Sequence, residues 1–242
     1  VMIRTEQGYA QIFKIYGKSE TEVKEKLQDL LKCGGAVVIY TRRRGKDVHV
    51  LAETQAEDEE SAKAALKPVA KEIKKALGDM YYSTKENETM EETVVRLLTK
   101  YGLTVTTAES CTGGMIASAI VSVAGASACF KEGYITYSNE AKKKLLGVRE
   151  DTLKQYTVVS AQVAQEMAAG AAAAAQSSLA VSVTGVAGPD PDEGNPVGLV
   201  YIGIAFEGSV YAARFQFTGS REEIRRQAAC EALALALGVV SE

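Results

Sequence analysis

Four stretches of this 242-residue chain set small polar residues beside glycine, lysine or arginine, and each has a chemistry open to it. The first is Thr106-Thr107-Ala108-Glu109-Ser110-Cys111-Thr112-Gly113-Gly114. It reads as a strand running into a tight turn and straight into a helix, with Ser110 and Cys111 as neighbouring nucleophiles. Gly113 and Gly114 allow close backbone approach. The unpaired N–H groups of a helix start, with Thr112 beside them, would suit a phosphate or a developing oxyanion. The spacing is not that of a P-loop, a dinucleotide fingerprint or a GxSxG elbow. The same pattern also arises if Ser110 or Thr112 only caps the helix.

The second stretch is Tyr134-Ile135-Thr136-Tyr137-Ser138-Asn139-Glu140-Ala141-Lys142-Lys143-Lys144. With Asn139 as N-cap, Lys142 takes the third helical position. Its ammonium then faces the positive end of the helix dipole beside two more lysines, which favours a neutral amine able to act as a base. A solvated run describes Lys143 and Lys144 well, and residue types alone do not separate Lys142 from them. The third, Ser182-Val183-Thr184-Gly185-Val186-Ala187-Gly188-Pro189-Asp190, continues to Asn195-Pro196-Val197-Gly198. Here a buried strand ends in a loop whose donors at Gly185–Gly188 could frame an amide or a ribose, or which is a plain Gly/Pro turn. The fourth is Phe217-Thr218-Gly219-Ser220-Arg221-Glu222-Glu223-Ile224-Arg225. Ser220 and Glu223 form a capping box. Arg221 and Arg225 share a helix face, free to pair with Glu222 and Glu231 or to grip an anion.

Some chemistries are excluded by what is missing. The single histidine, His49, lies in a strand-like stretch of the first third, so the later part has no histidine base, triad or His-rich metal site. Cys33, Cys111, Cys129 and Cys230 form no CxxC pair, so no zinc knuckle or thioredoxin-type site is written, and scattered single thiols read as reduced and cytosolic. No metal or cofactor is called for. A formal net charge of −3 argues against a general nucleic-acid binder. The local exception, Arg42-Arg43-Arg44 with Lys46, reads as a solvated hairpin tip. No apolar run approaches the roughly 20 residues of a membrane-spanning helix. The opening Val1-Met2-Ile3-Arg4 lacks a signal-peptide pattern and reads as the run-in to a strand of a longer, cytoplasmic protein.

The elements that must hold these residues fall into two parts. Residues 1–82 alternate strand (Tyr9–Tyr16), helix (Glu20–Lys32, stopped by Gly34-Gly35), two strands (Val37–Tyr40, Val48–Leu51) and helix (Ser61–Leu77, with Pro68), a small α+β domain. The polar stretch 83–88 reads as a linker. Thr89 and Glu92 form a capping box that opens a helix ended by Gly102. Residues 89–242 are rich in Ala, Gly, Val and Ser, and small residues let helices lie close on a sheet. Expected strands there are Leu103–Thr107, Gly133–Tyr137, Leu179–Thr184, Val197–Phe206 and Val210–Phe217. Expected helices are Gly113–Val123, Glu140–Leu146, Ala161–Ala175 and Arg221–Leu237. The last two strands turn at Glu207-Gly208 as a hairpin, so the sheet is mixed. The fold class is α/β: a three-layer domain with a mixed β-sheet, preceded by a small α+β domain.

Taken together and in order, TAESCTGG, GYITYSNEAK with LLGV, VTGVAGPD with NPVGLVYIG, and FTGSREEIRRQA resemble the C-terminal domain of the CinA family over about residues 88–242. Such domains are nicotinamide-nucleotide amidohydrolases, converting nicotinamide mononucleotide and water to nicotinate mononucleotide and ammonia. The resemblance implies Ser110 as nucleophile, Lys142 as its base, Tyr137 and Thr184 as assistants, and an arginine on the phosphate, Arg221 ahead of Arg225. Substrate would lie against Thr112, Gly113, Gly114, Asn139 and Gly185. It also implies a homodimer with no cofactor and no nucleic-acid or membrane partner. Residues 1–82 resemble the family's KH-like middle domain. Their nearest GxxG candidate, Gly17-Lys18-Ser19-Glu20, lacks the second glycine, so RNA binding is not expected. The family's molybdopterin-binding-like N-terminal domain has no counterpart in these residues. Other readings are a non-catalytic protein of competence or DNA damage, and an amidohydrolase of a related nucleotide.

Overall fold

The computed structural model describes residues 2–32 and 35–241, which fall into two compact units divided between Met90 and Glu91. Cys33 and Gly34, the latter half of the expected helix stop, lie outside the described residues.

The first unit runs β1 (Met2–Thr5), β2 (Gly8–Tyr16), α1 (Glu20–Lys32), β3 (Val37–Arg44), β4 (Asp47–Thr54), α2 (Glu59–Leu77) and β5 (Tyr81–Ser83). Its antiparallel sheet has the order β1-β2-β4-β3, with β5 also paired to β2. Period-2 patterning puts Phe13 and Ile15 of β2 and Val48, Val50 and Ala52 of β4 into the core. Val23 and Leu27 of α1 and Leu66, Ile73 and Leu77 of α2 meet them there. Burying a side chain of this size contributes about 1.5–3 kcal/mol.

Two expectations for this unit are corrected. The three arginines are not a hairpin tip: they are the end of β3, paired with His49, Val48 and Asp47, and the turn is Gly45-Lys46. A ladder uses backbone groups, so charged side chains extend it wherever they stay in solvent, as all three do. The stretch 83–88 is fastened down rather than a free linker. Lys14 Nζ donates to Glu88 O at 2.7 Å, and the Glu88 carboxylate accepts from Ser83 Oγ and Lys85 Nζ.

The second part comprises α3 (Met90–Tyr101), β6 (Val105–Glu109), α4 (Met115–Val121), β7 (Tyr134–Ile135), α5 (Asn139–Leu146) and α6 (Glu150–Tyr156). It continues with α7 (Ala161–Ala175), β8 (Leu179–Gly185), β9 (Leu199–Phe206), β10 (Ser209–Gln216) and α8 (Arg221–Ser241). The sheet order is β10-β9-β8-β6-β7. β7, β6 and β8 run parallel, whereas β9 and β10 are antiparallel to their neighbours, so the sheet is mixed. Ala180 of β8 packs with Val163, Met167 and Ala171 of α7, and Ser182 Oγ donates to Ala164 O at 2.6 Å. Alternation turns Val181 and Val183 to the opposite face, and α8 also packs on β8 and β9. Helices therefore cover both faces, giving three layers. The short helix α6 was not expected, because its seven residues span too few turns to show a period.

Candidate active site

The parallel strands bring the polar stretches to one end of the sheet. Ser110 follows β6 directly, and its N–H donates to Val183 O of β8 at 3.0 Å. Thr136 follows β7 and donates its N–H to Glu109 O at 2.8 Å. Thr184 and Gly185 close β8 beside them. Carboxyl ends of strands are where open α/β sheets bind ligands. A cleft of about 540 Å³ opens here, lined among others by Ser110, Tyr137, Asn139, Thr184, Gly185 and Arg221. A broader hollow of about 1260 Å³ on the first unit, with Tyr40, Arg42 and Glu53 in its wall, holds no serine–lysine pair.

Lys142 is separated from its neighbours by burial. Its side chain is fully buried, while Lys143 is half-buried and Lys144 exposed. The N-cap of α5 is Ser138, whose Oγ accepts from Ala141 N–H at 3.1 Å, and not Asn139. Lys142 accordingly sits one position deeper than expected, and the cause of its perturbation changes. Loss of solvent lowers its amine from the ordinary 10.5 to about 8, against the opposing pull of Cys111, Glu140 and Glu193.

Its nitrogen lies 3.0 Å from Ser110 Oγ, 2.8 Å from Thr136 O and, more loosely, 3.4 Å from Tyr137 O. A neutral amine has two N–H bonds and one lone pair. The two carbonyls can only accept, so they take the N–H bonds and leave the lone pair for the Ser110 hydroxyl. That is the arrangement a general base needs. The rival nucleophile, Cys111, is buried, and burial pushes its thiol up to about 11, which keeps it protonated near neutrality.

The helix start is not a free anion site. Glu109, overlooked in the sequence, is fully buried, and its carboxylate accepts from the N–H groups of Gly114 (2.9 Å), Ile116 (3.1 Å) and Ala117 (2.8 Å). Neither Ser110 nor Thr112 caps α4; the capping carboxylate stands just before the nucleophile. Its position, five residues before Gly114 and ahead of a helix lacking any other acidic start, was the available signal. Gly113 N–H closes on Ser110 O at 3.1 Å. Among the described residues of this turn, the N–H groups of Cys111 and Thr112 take neither a backbone carbonyl nor that carboxylate. Of the two, Cys111 lines the cleft, and Thr112 lies buried directly behind it in sequence.

The remaining candidates divide. Tyr137 meets the dyad through its backbone carbonyl, while the residue as a whole is 63% exposed and its hydroxyl accepts from Arg221 Nη2 at 3.1 Å. Thr184 spends its hydroxyl proton on Val158 O at 2.8 Å, pinning the facing loop. Thr112 is fully buried, its Oγ1 without a hydrogen-bond partner among the described residues. Gly185 lines the cleft, but its missing Cβ is needed by β9, where an added carbon would come within 2.6 Å of Val200 Cγ2. Arg221 lines the cleft and reaches Gly188 O across it. Arg225 instead binds the carbonyls of Cys111 and Thr112, both at 2.9 Å, while Glu222 pairs with Arg226. The Ser220–Glu223 capping box forms as expected, with Ser220 N–H donating to Glu223 Oε2 at 2.7 Å. Among the described residues no group of His, Cys, Asp or Glu is placed to hold a metal ion, and no helix is long and apolar enough to cross a membrane.

Residues 87–240 match the CinA C-terminal domain, and residues 10–83 match the KH domain of damage-inducible protein CinA. A CinA-like protein of Kosmotoga olearia is 41% identical over 228 residues, covering 93% of this chain and 55% of the relative. A putative competence-damage inducible protein of Caldicellulosiruptor saccharolyticus is 41% identical over 229 residues, covering 94% and 56%. The chain thus spans about half the length of the curated relatives it matches. Among solved structures, a CinA superfamily protein of Klebsiella pneumoniae is 36% identical with a TM-score of 0.61, covering 64% of this chain and 99% of that one. A superfamily member of Escherichia coli is 33% identical with a TM-score of 0.61, covering 67% and 98%.

Proposed function

The chain belongs to the CinA family, and from that membership and the serine–lysine pair we propose that its second unit is an amidohydrolase of nicotinamide mononucleotide, acting in cytoplasmic pyridine-nucleotide salvage. The observation that carries the reading is the buried contact between Lys142 Nζ and Ser110 Oγ, with two carbonyls placed to take the neutral amine's two hydrogens. Neutral Lys142 takes the Ser110 proton as Oγ attacks the carboxamide carbon. The N–H groups of Cys111 and Thr112 receive the oxyanion, a role worth about 2.7–4 kcal/mol per donor. Protonated Lys142 passes its proton to the leaving nitrogen, the C–N bond breaks, and ammonia departs from an acyl-serine. Water, deprotonated by Lys142, then cleaves that ester, and Ser110 recovers its proton. Products are nicotinate mononucleotide and ammonia.

The test is ammonia release by the purified chain from nicotinamide mononucleotide, its riboside and free nicotinamide. Turnover is expected with the mononucleotide foremost. No release from any of the three would overturn the reading in favour of a binding or scaffolding role, and equal release would remove the nucleotide from it. Arg221→Gln is expected to raise KM for the mononucleotide by about 10–100-fold, as loss of a charge-assisted contact of roughly 1.5–3 kcal/mol allows, and to leave the riboside unaffected. An equal rise for both substrates would show that Arg221 does not hold the phosphate.

The base must be neutral to act, so the sign of the pH dependence follows. With the Lys142 amine near 8, kcat/KM rises about tenfold per pH unit below pH 8 and levels off above it. A rate flat from pH 6 to about 9 would be incompatible with Lys142 as the base.

A further inference from the structure

The nucleophile turn is gripped by charge from two sides. Glu109 holds N–H groups on the helix side, and Arg225, one turn into α8, holds carbonyls. Its Nε donates to Cys111 O and its Nη2 to Thr112 O, both at 2.9 Å. Gly113 leaves the room this needs, since a Cβ there would stand 3.3 Å from Arg225 Nη2, and its φ of +61° suits glycine.

In a trans peptide the C=O and the following N–H point in opposite directions. Holding the Cys111 carbonyl therefore fixes the aim of the Thr112 N–H, away from the guanidinium. Holding the Thr112 carbonyl likewise fixes Gly113 N–H, which closes the turn on Ser110 O. A cation bound to a carbonyl also polarises its peptide and strengthens the N–H as a donor. The Thr112 N–H, which takes no backbone carbonyl among the described residues, gains on both counts.

We propose that Arg225 is a positioning residue that aims and polarises the Thr112 N–H as an oxyanion donor, through the Cys111–Thr112 peptide, and takes no part in binding phosphate. The catalytic part of this rests on the amidohydrolase reading of the cleft; the geometric part does not.

The experiment compares the intact chain with Arg225→Met and Arg225→Lys. Arg225→Met is expected to lower kcat by about 10²–10³-fold, the scale of a lost oxyanion donor, with KM little changed. The loss is the same on mononucleotide and riboside, so the preference for the 5′-phosphate persists. Arg225→Lys restores part of kcat, since one ammonium can reach one carbonyl. In ¹⁵N-resolved NMR the Thr112 and Gly113 amides shift and exchange faster in Arg225→Met, while those of β8 hold. A KM rise confined to the mononucleotide would make Arg225 a phosphate ligand and overturn the proposal, as would an unchanged kcat. If the unmodified chain proved inactive, the amidohydrolase reading would fall, and unmoved Thr112 and Gly113 amides would separately overturn the positioning role.

Discussion

Ser110→Ala is expected to lower kcat for ammonia release by about 10⁴–10⁶-fold, and Lys142→Met by a similar factor, with the double variant little worse than either. Non-additivity is the informative part. If Ser110 is the nucleophile and Lys142 its only base, removing either ends the same step, and the second removal has nothing left to abolish. Two independent contributions would multiply instead. Both side chains are buried against each other, so each variant should keep its fold, and its thermal midpoint must be checked beside its rate. In the intact chain, mass spectrometry of a quenched reaction should find the nicotinate mononucleotide, ribose phosphate included, as an acyl ester on Ser110. Turnover that survived Ser110→Ala and followed Cys111 instead would end the serine scheme, and it would contradict a thiol held at about 11.

The expected spans of α1 and α7 agree with the structure to the residue: α1 shows a helical period, and α7 is a run dominated by alanine, the strongest helix former. The nucleophile and the base were legible as residue types at strand exits. What distinguished Lys142 from Lys143 and Lys144 was not, because burial depends on how α5 seats on α7, and a run of lysines says nothing of that. Glu109 was missed for a related reason: a carboxylate beside a nucleophile is read as chemistry or as surface, while its actual task is to satisfy three backbone donors. Arg221 and Arg225 are equivalent by spacing, and only the tertiary fold sends one to the cleft and the other to the Cys111 and Thr112 carbonyls. Local signals locate the parts; the long-range contacts that assign their roles have no local signature.

Gly170→Ala is expected to cripple catalysis from a position outside the cleft wall. Gly170 lies on α7, where a Cβ would stand 1.9 Å from Leu146 O, the carbonyl that ends α5. The obstruction is backbone, so no side chain can rotate to relieve it. α5 must withdraw by at least about 1 Å to restore an allowed contact, and a misplacement on that scale near a reacting pair costs on the order of 10²-fold in rate. Lys142 is carried directly by this movement. Its own carbonyl is tied to Val148 N–H at 3.3 Å, in the turn that closes α5 just past Leu146. Overpacking should also cost about 1–3 kcal/mol of stability, visible as a lower Tm in calorimetry. Loss of kcat with the Ser110 turn intact by NMR would show that the approach of α5 to α7 sets the Lys142–Ser110 distance. A Gly170→Ala variant with normal Tm and normal kcat would show that the two helices do not pack this closely, and the burial argument for Lys142 as base would lose its structural footing.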